Sequence, residues 1–220
     1  MKRLLIALLL TTVLNAHAQT WIKYKFDENV TLSMPENFEM VDTLGTHSIK
    51  AFIENGLVVI QNLPNEGATA TTILNKEELL ESYRGFQKGV VEVQHGTLLN
   101  QSFELRNGLQ VTTFSFTAMM GGEKQIRHYL VIFLNEHWYT ITFWEVADLT
   151  NELRPLREDF FQSLELPAGL SLQNQLSTNP EGSQSYKEGY LIGSVLGYVA
   201  AIGIIGLAIY MVFRRWRRQK

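Results

Sequence analysis

From Tyr190 to Phe213 the chain runs for 24 positions without a charged residue, and no other feature restricts its folding so strongly. As an α-helix this run is about 36 Å long at 1.5 Å per residue. That is enough to cross the roughly 30 Å hydrocarbon core of a bilayer with modest tilt, so a single transmembrane helix is expected at 190–213. Arg214, Arg215, Arg217, Arg218 and Lys220 follow at once, with Trp216 among them, whereas Lys187 and Glu188 are the charges immediately before the run. The positive-inside rule makes 214–220 a basic cytoplasmic tail and places the preceding domain outside the cytoplasm, in the periplasm if the envelope is Gram-negative. Tyr190 and Trp216 stand where interfacial aromatics belong.

The other end agrees with that topology. Lys2 and Arg3 precede an apolar stretch from Leu4 to Leu10 that continues through Val13 and Leu14, and Ala16-His17-Ala18 offers small residues in the A-x-A arrangement. These are the three zones of a cleavable signal peptide over 1–18, with Gln19 as the first mature residue. The apolar core of about 11 residues is too short to span a bilayer. Of the 19 basic residues, two lie in this leader and five in the tail, leaving 12 against all 22 Asp and Glu in the segment between. That segment therefore carries a formal charge of -10, which disfavours nucleic acid and anionic lipid surfaces as partners. With no cysteine in the chain, an exported domain here depends on its core rather than on disulfides. Such a domain points to a bacterial envelope, where the Asn29-Val30-Thr31 and Asn100-Gln101-Ser102 sequons carry no glycan.

Between the ends, period-two alternation dominates. Ile22, Tyr24 and Phe26 alternate with Lys23 and Lys25, and Val30, Leu32 and Met34 repeat the pattern up to Pro35, giving two strands. Ser48 to Ile53 and Leu57 to Gln61 form a further pair joined at Glu54-Asn55-Gly56. Asn75 followed by Glu78 is a capping box opening a helix in which Leu79, Leu80, Tyr83 and Phe86 share a face; Gly89 is expected to end it. From Val90 to Val146 the chain reads as a meander of long antiparallel strands, with turns at Asn107-Gly108, around Gly121-Gly122 and at Asn135-Glu136. Pairing Leu134 with His137 puts Leu130, Ile132, Tyr139, Ile141 and Phe143 on one face and Arg127, Tyr129, Val131, Phe133, Trp138 and Trp144 on the other. Both faces are apolar, so both are expected to be covered. A last helix over Glu152 to Ser163 buries Leu153, Leu156, Phe160 and Leu164 and is capped by Asp148 or Thr150. The domain then spans 19–167, and 168–189, rich in Ser, Asn, Gln and Gly, is a flexible linker reaching about 25 Å.

The opening strand ending in "LSMPENFEM", the capped helix, the meander and the closing helix into "DFFQSLEL" together resemble the αβα sandwich of the photosystem II subunit P (PsbP) family and its bacterial relatives. The likeness covers most of Gln19 to Leu166. It implies an α+β fold whose members act mostly as assembly or binding modules, and it carries over no functional residue.

The chemistry-bearing residues give no catalytic or metal constellation. His47, His95, His128 and His137 fall outside any zinc spacing, and no nucleophile elbow, phosphate-cradling loop or dinucleotide fingerprint is present. No cofactor is expected. His128, between Ile126 and Leu130 on a strand face, reads as a hydrogen-bonded core histidine. Arg127, Tyr129, Trp138 and Trp144 form a candidate ligand face for a glycan or peptide, with a second core layer under a helix as the more economical reading. In the apolar run, Gly189, Gly193, Gly197 and Ala201 recur every four residues and so lie along one helical face. This small-xxx-small pattern suits a homodimer or a partner helix in the membrane. The sequence thus suggests a single-pass membrane protein presenting an extracytoplasmic binding or assembly module. An envelope enzyme with an unrecognised site and a C-terminally processed surface protein are the alternatives.

Overall fold

The structure, a computed structural model, describes residues 19–43, 46–66, 70–177 and 187–197. Its strands are β1 (Trp21–Lys25), β2 (Thr31–Pro35), β3 (Glu39–Thr43), β4 (Thr46–Ile53), β5 (Gly56–Pro64), β6 (Thr97–Arg106), β7 (Leu109–Met120), β8 (Glu123–Leu134) and β9 (His137–Val146). Helix α1 is Lys76–Val93, α2 is Thr150–Gln162, and residues 187–197 form α3. Seven strands make one antiparallel sheet in the order β3-β4-β5-β9-β8-β7-β6, while β1 and β2 pair as a separate hairpin. After β5, α1 carries the chain to the far edge at β6, and four strands meander back until β9 pairs with β5.

The alternation of β8 and β9 sorts the core as their sequences require. Leu130, Ile132, Tyr139, Ile141 and Phe143 face the side covered by the β1-β2 hairpin and α2, against Leu32, Met34 and Phe160. Tyr129, Val131, Phe133 and Trp138 face α1 and α3, against Tyr83, Phe86, Ile192 and Leu196. The sheet is therefore buried on both faces, the αβα arrangement, with Leu134 opposite His137 and Asn135 and Glu136 both at positive φ in the connecting turn. At the outer edge, β6 is exposed along most of its length, including Leu98, Leu99 and Leu105, and its pairing with β7 is broken by a bulge between Leu98 and Asn100.

Several boundaries differ from the sequence expectation. Helix α1 opens as expected, with the Asn75 side chain accepting the Glu78 amide at 2.9 Å, but the Glu78 carboxylate reaches back one residue further, to the Leu74 amide. It does not stop at Gly89. His95, at φ 48°, takes the left-handed position after the cap, and the His95 and Gly96 amides close onto the Glu92 and Val91 carbonyls, the Schellman pattern. Gly89 is instead a packing position, because a side chain there would collide with the backbone of Tyr190 and Ser194 on α3. Neither Asp148 nor Thr150 caps α2, whose N-cap is Leu149 without a side-chain bond; the Thr150 hydroxyl donates to Glu145. Strand β3 has too little apolar alternation to be seen locally and exists through its ladder to β4. The expected leader, and residues 198–213 of the expected span with the tail behind them, lie outside the described residues. Among the described residues no helix is long and apolar enough to cross a membrane.

The segment read as a linker begins by docking. Pairing of β7 with β8 stops at Thr112 opposite Val131, and the pair two steps on in the same register, Gln110 with Phe133, is joined by side chains instead. The Tyr83 hydroxyl accepts from the Phe133 amide at 3.0 Å and donates to the Gln110 carbonyl at 2.9 Å. Gln175 accepts from the Gln110 amide at 2.7 Å and donates to the Phe133 carbonyl at 2.8 Å. Two side chains thus satisfy the buried backbone groups of an opened ladder step, which would otherwise go unpaired. Replacing Gln175 with Ala should cost about 2–4 kcal/mol, because it strands a buried amide and a buried carbonyl together. Urea unfolding of the wild type and Gln175→Ala measures this, and a loss below about 0.5 kcal/mol, the size expected of a surface change, would contradict the bridging role.

Candidate functional site

Cross-strand register decides which of the proposed ligand-face residues meet. Arg127 lies directly opposite Trp144, whereas Trp138, six residues earlier on β9, pairs with Phe133. The four residues therefore divide. Trp138 stacks on Phe86 at 5.6 Å and meets Tyr83 edge-on at 5.8 Å, fully enclosed by the α1-side core. Arg127, Tyr129 and Trp144 form a second group at the C-terminal end of α1.

In that group the Arg127 guanidinium lies 4.1 Å above the Trp144 ring, a cation–π contact strengthened by the low exposure of both residues. Its Nη1 donates to the Gln94 side chain, while Gln94 donates to the Tyr129 hydroxyl at 3.3 Å. Tyr129 in turn stacks on Phe114 at 4.9 Å. Among the described residues no carboxylate lies within ion-pair distance of Arg127, and its Nε has no partner. Burial lowers the pKa of this guanidinium, opposed by the Tyr129 hydroxyl. The carbonyl end of α1 supplies partial negative charge nearby. Gln94, which the sequence did not single out, is the hub of this group, because the continuation of α1 past Gly89 is what brings it over the sheet.

A second polar cluster holds the opposite face. Glu145 is 1% exposed and receives both Arg157 bonds, at 2.6 and 2.7 Å, together with His128 Nε2 at 3.1 Å and the Thr150 hydroxyl. It fastens the start of α2 to β8 and β9. Burial alone would raise the Glu145 pKa, but the His128 and Thr150 hydrogen bonds and the charges of His128 and Arg157 outweigh it and leave the pKa lowered. An acidic residue on the apolar phase of a strand was the available signal in the sequence. Two other histidines are also bonded to neighbours: His47 to Asp42 at 2.6 Å and His137 to Asn62 at 2.8 Å.

At the hairpin end of the molecule Asp27 accepts from the Tyr139 hydroxyl at 2.8 Å and from Asn62 at 3.1 Å, and burial raises the Tyr139 pKa. An open depression of about 550 Å³ lies beside it, with Lys23, Lys25, Asn29 and Glu165 on its walls. Lys23 and Glu165, both on its walls, form an ion pair at 2.6 Å.

Of the helix-contact residues, Gly189, Gly193 and Gly197 do line one face of α3, and that face lies on α1 of the same chain. A Cβ on Gly189 would strike the Ser82 carbonyl and one on Gly193 the Phe86 carbonyl, while one on Gly197 would stand 3.4–3.5 Å from Val93, Gln94 and Val90. Ala201 lies outside the described residues.

The architecture defined by these elements is a two-faced antiparallel sheet between helical layers, and solved structures of similar fold exist. Cyanobacterial PsbP (CyanoP) from Synechocystis sp. PCC 6803 is 12% identical, with 70% of this chain and 96% of that chain covered at a TM-score of 0.47. The protein of unknown function PA94 from Pseudomonas aeruginosa is 11% identical over 68% of this chain and 99% of its own, at 0.44. The Ran-binding protein Mog1p of Saccharomyces cerevisiae is 8% identical over 73% and 100%, at 0.43. The likeness to PsbP and Mog1 is one of fold alone. No protein-family profile matches the sequence, and no curated protein matches it.

Two substitutions separate the roles of these clusters. Glu145→Gln should lower stability at neutral pH by about 3 kcal/mol, since it leaves Arg157 facing an uncharged partner inside the fold. The wild-type contribution is fully present above the ordinary glutamate value and is lost as pH falls through the depressed folded value. Unfolding curves of the two proteins should therefore converge in acid, and parallel curves at all pH values would show that the carboxylate's charge is irrelevant. Arg127→Met, which removes a buried charge lacking an acidic partner, should change stability by no more than about 1 kcal/mol in either direction. A loss above about 3 kcal/mol in the same measurement would mean that Arg127 has an anionic partner in the folded protein.

Proposed function

We propose that this chain is a single-pass membrane protein that presents an extracytoplasmic binding or assembly module, anchored by the Tyr190–Phe213 run with its basic tail in the cytoplasm. The observation that carries the module reading is how the interior polar groups are used. Glu145 is committed to Arg157, His128 and Thr150, Tyr139 to Asp27, Tyr83 to an opened strand pair and Arg127 to Gln94 and Trp144. Groups engaged with the scaffold on this scale hold a shape rather than wait for a reacting atom, which leaves recognition to the outer surface. The anchoring reading is supported by the length of the uncharged run and the arginine cluster after it.

Protease added to intact spheroplasts should digest the folded domain and leave a fragment containing the membrane run and tail, detected by an antibody to the last residues. Protection of the domain until the membrane is permeabilised would overturn the proposed orientation.

A further inference from the structure

Helix α3 and the anchoring run share residues. The contacts of α3 advance in step with those of α1: Gly189 on Ser82, Gly193 on Phe86 and Gly197 near Val90 and Val93, with Gly89 receiving Tyr190 and Ser194 in return. Both series rise by four residues in the same direction, so the helices lie parallel, backbone against backbone, in the close approach that small-xxx-small faces permit. Ile192 and Leu196, 0% and 2% exposed, enter the α1-side core. The start of α3 is fastened by the Thr72 amide on Glu188 at 3.2 Å and the Tyr190 hydroxyl on Glu92 at 2.9 Å.

Yet Tyr190 is also the first residue of the uncharged run. If residues 187–197 remain on α1, the uncharged run left over is 198–213, which as a helix is about 24 Å long. That falls short of the roughly 30 Å hydrocarbon core. The eight residues Tyr190 to Gly197 therefore have two seats and can fill one at a time.

We infer that the face of α1 at Ser82, Phe86, Gly89 and Val90, where the two backbones meet across glycines, is an exchangeable helix-docking site whose occupant is the segment 187–197 of this chain. The segment is seated there while the C-terminal run is outside the bilayer and leaves when the run spans it. This rests on the membrane-spanning reading of Tyr190–Phe213. Vacating the site uncovers Ser82 and Gly89 and opens the core positions of Ile192 and Leu196, so insertion changes the surface that the extracytoplasmic domain presents.

The absence of native cysteine allows a direct test. Ser82 is fully buried and its hydroxyl has no hydrogen-bond partner among the described residues, so Ser82→Cys is a mild change that places a thiol under α3. Full-length Ser82→Cys protein is compared before and after insertion into phosphatidylcholine–phosphatidylglycerol vesicles, using a membrane-impermeant maleimide. Leu98→Cys, on the exposed β6 strand, serves as the reagent-access control, and protease protection of the C-terminal run reports insertion independently. The expected result is at least a tenfold faster labelling of Ser82→Cys once the run is inserted, with Leu98→Cys unchanged. Adding Gly193→Leu, which cannot sit against the Phe86 backbone, should make labelling fast in both states while circular dichroism stays native. Insertion with Ser82→Cys still protected overturns the exchange and leaves the membrane reading intact. A run that never gains protease protection overturns the membrane reading and this inference with it.

Discussion

The ladder between β5 and β9 is the constraint on which the rest of the structure depends. It pairs Gly56 with Glu145 at one end and Pro64 with His137 at the other, joining segments about eighty residues apart in the chain. Without it the sheet would be two unconnected pieces, β3 to β5 and β6 to β9, each too narrow to bury two faces. Once it forms, α1 and α3 have a continuous floor on one side, and the β1-β2 hairpin and α2 have one on the other. Such non-local pairing must wait for a long loop to close before its contacts reward it. The local features on either side of that pairing are the Asn135-Glu136 turn, which leads into β9, and the capped start of α1, which follows β5.

What the sequence revealed and what it hid follow the same division between local and distant causes. The two faces of β8 and β9 were legible because period-two alternation is a property of neighbouring residues, and the start of α1 because capping acts within one turn. The end of α1 was not legible. A glycine inside a helix has two readings, a stop or a close approach, and Gly89 is the second only because α3 arrives from a hundred residues away. Gln175 was hidden for a similar reason. Its surroundings have a linker's composition, and nothing nearby announces an amide that completes a strand pair between Gln110 and Phe133. Of the proposed ligand face, the pairing of Arg127 with Trp144 was recoverable from register, but the separation of Trp138 and the role of Gln94 required the positions of the helix and sheet together.

The glycine contact between α1 and α3 has an unusual character for an aqueous domain. Most helix pairs meet through interlocking side chains, whereas here carbonyl groups of one backbone lie against glycines of the other, a geometry typical of helices in lipid. On the exchange proposed above, the same residues serve in two solvents. Under that proposal, a stripe built for close backbone approach gives up little in passing from a protein groove to a bilayer, because neither requires it to carry polar side chains.

The open edge at β6 bears on how the molecule avoids adding strands from its neighbours. A ten-residue outer strand with Leu98, Leu99 and Leu105 exposed is a template onto which a neighbouring chain could add a strand. The bulge between Leu98 and Asn100 breaks the regular spacing of that edge and twists it away from flat pairing. One extra residue, easily mistaken for an irregularity, thus works against strand addition from a position outside the core.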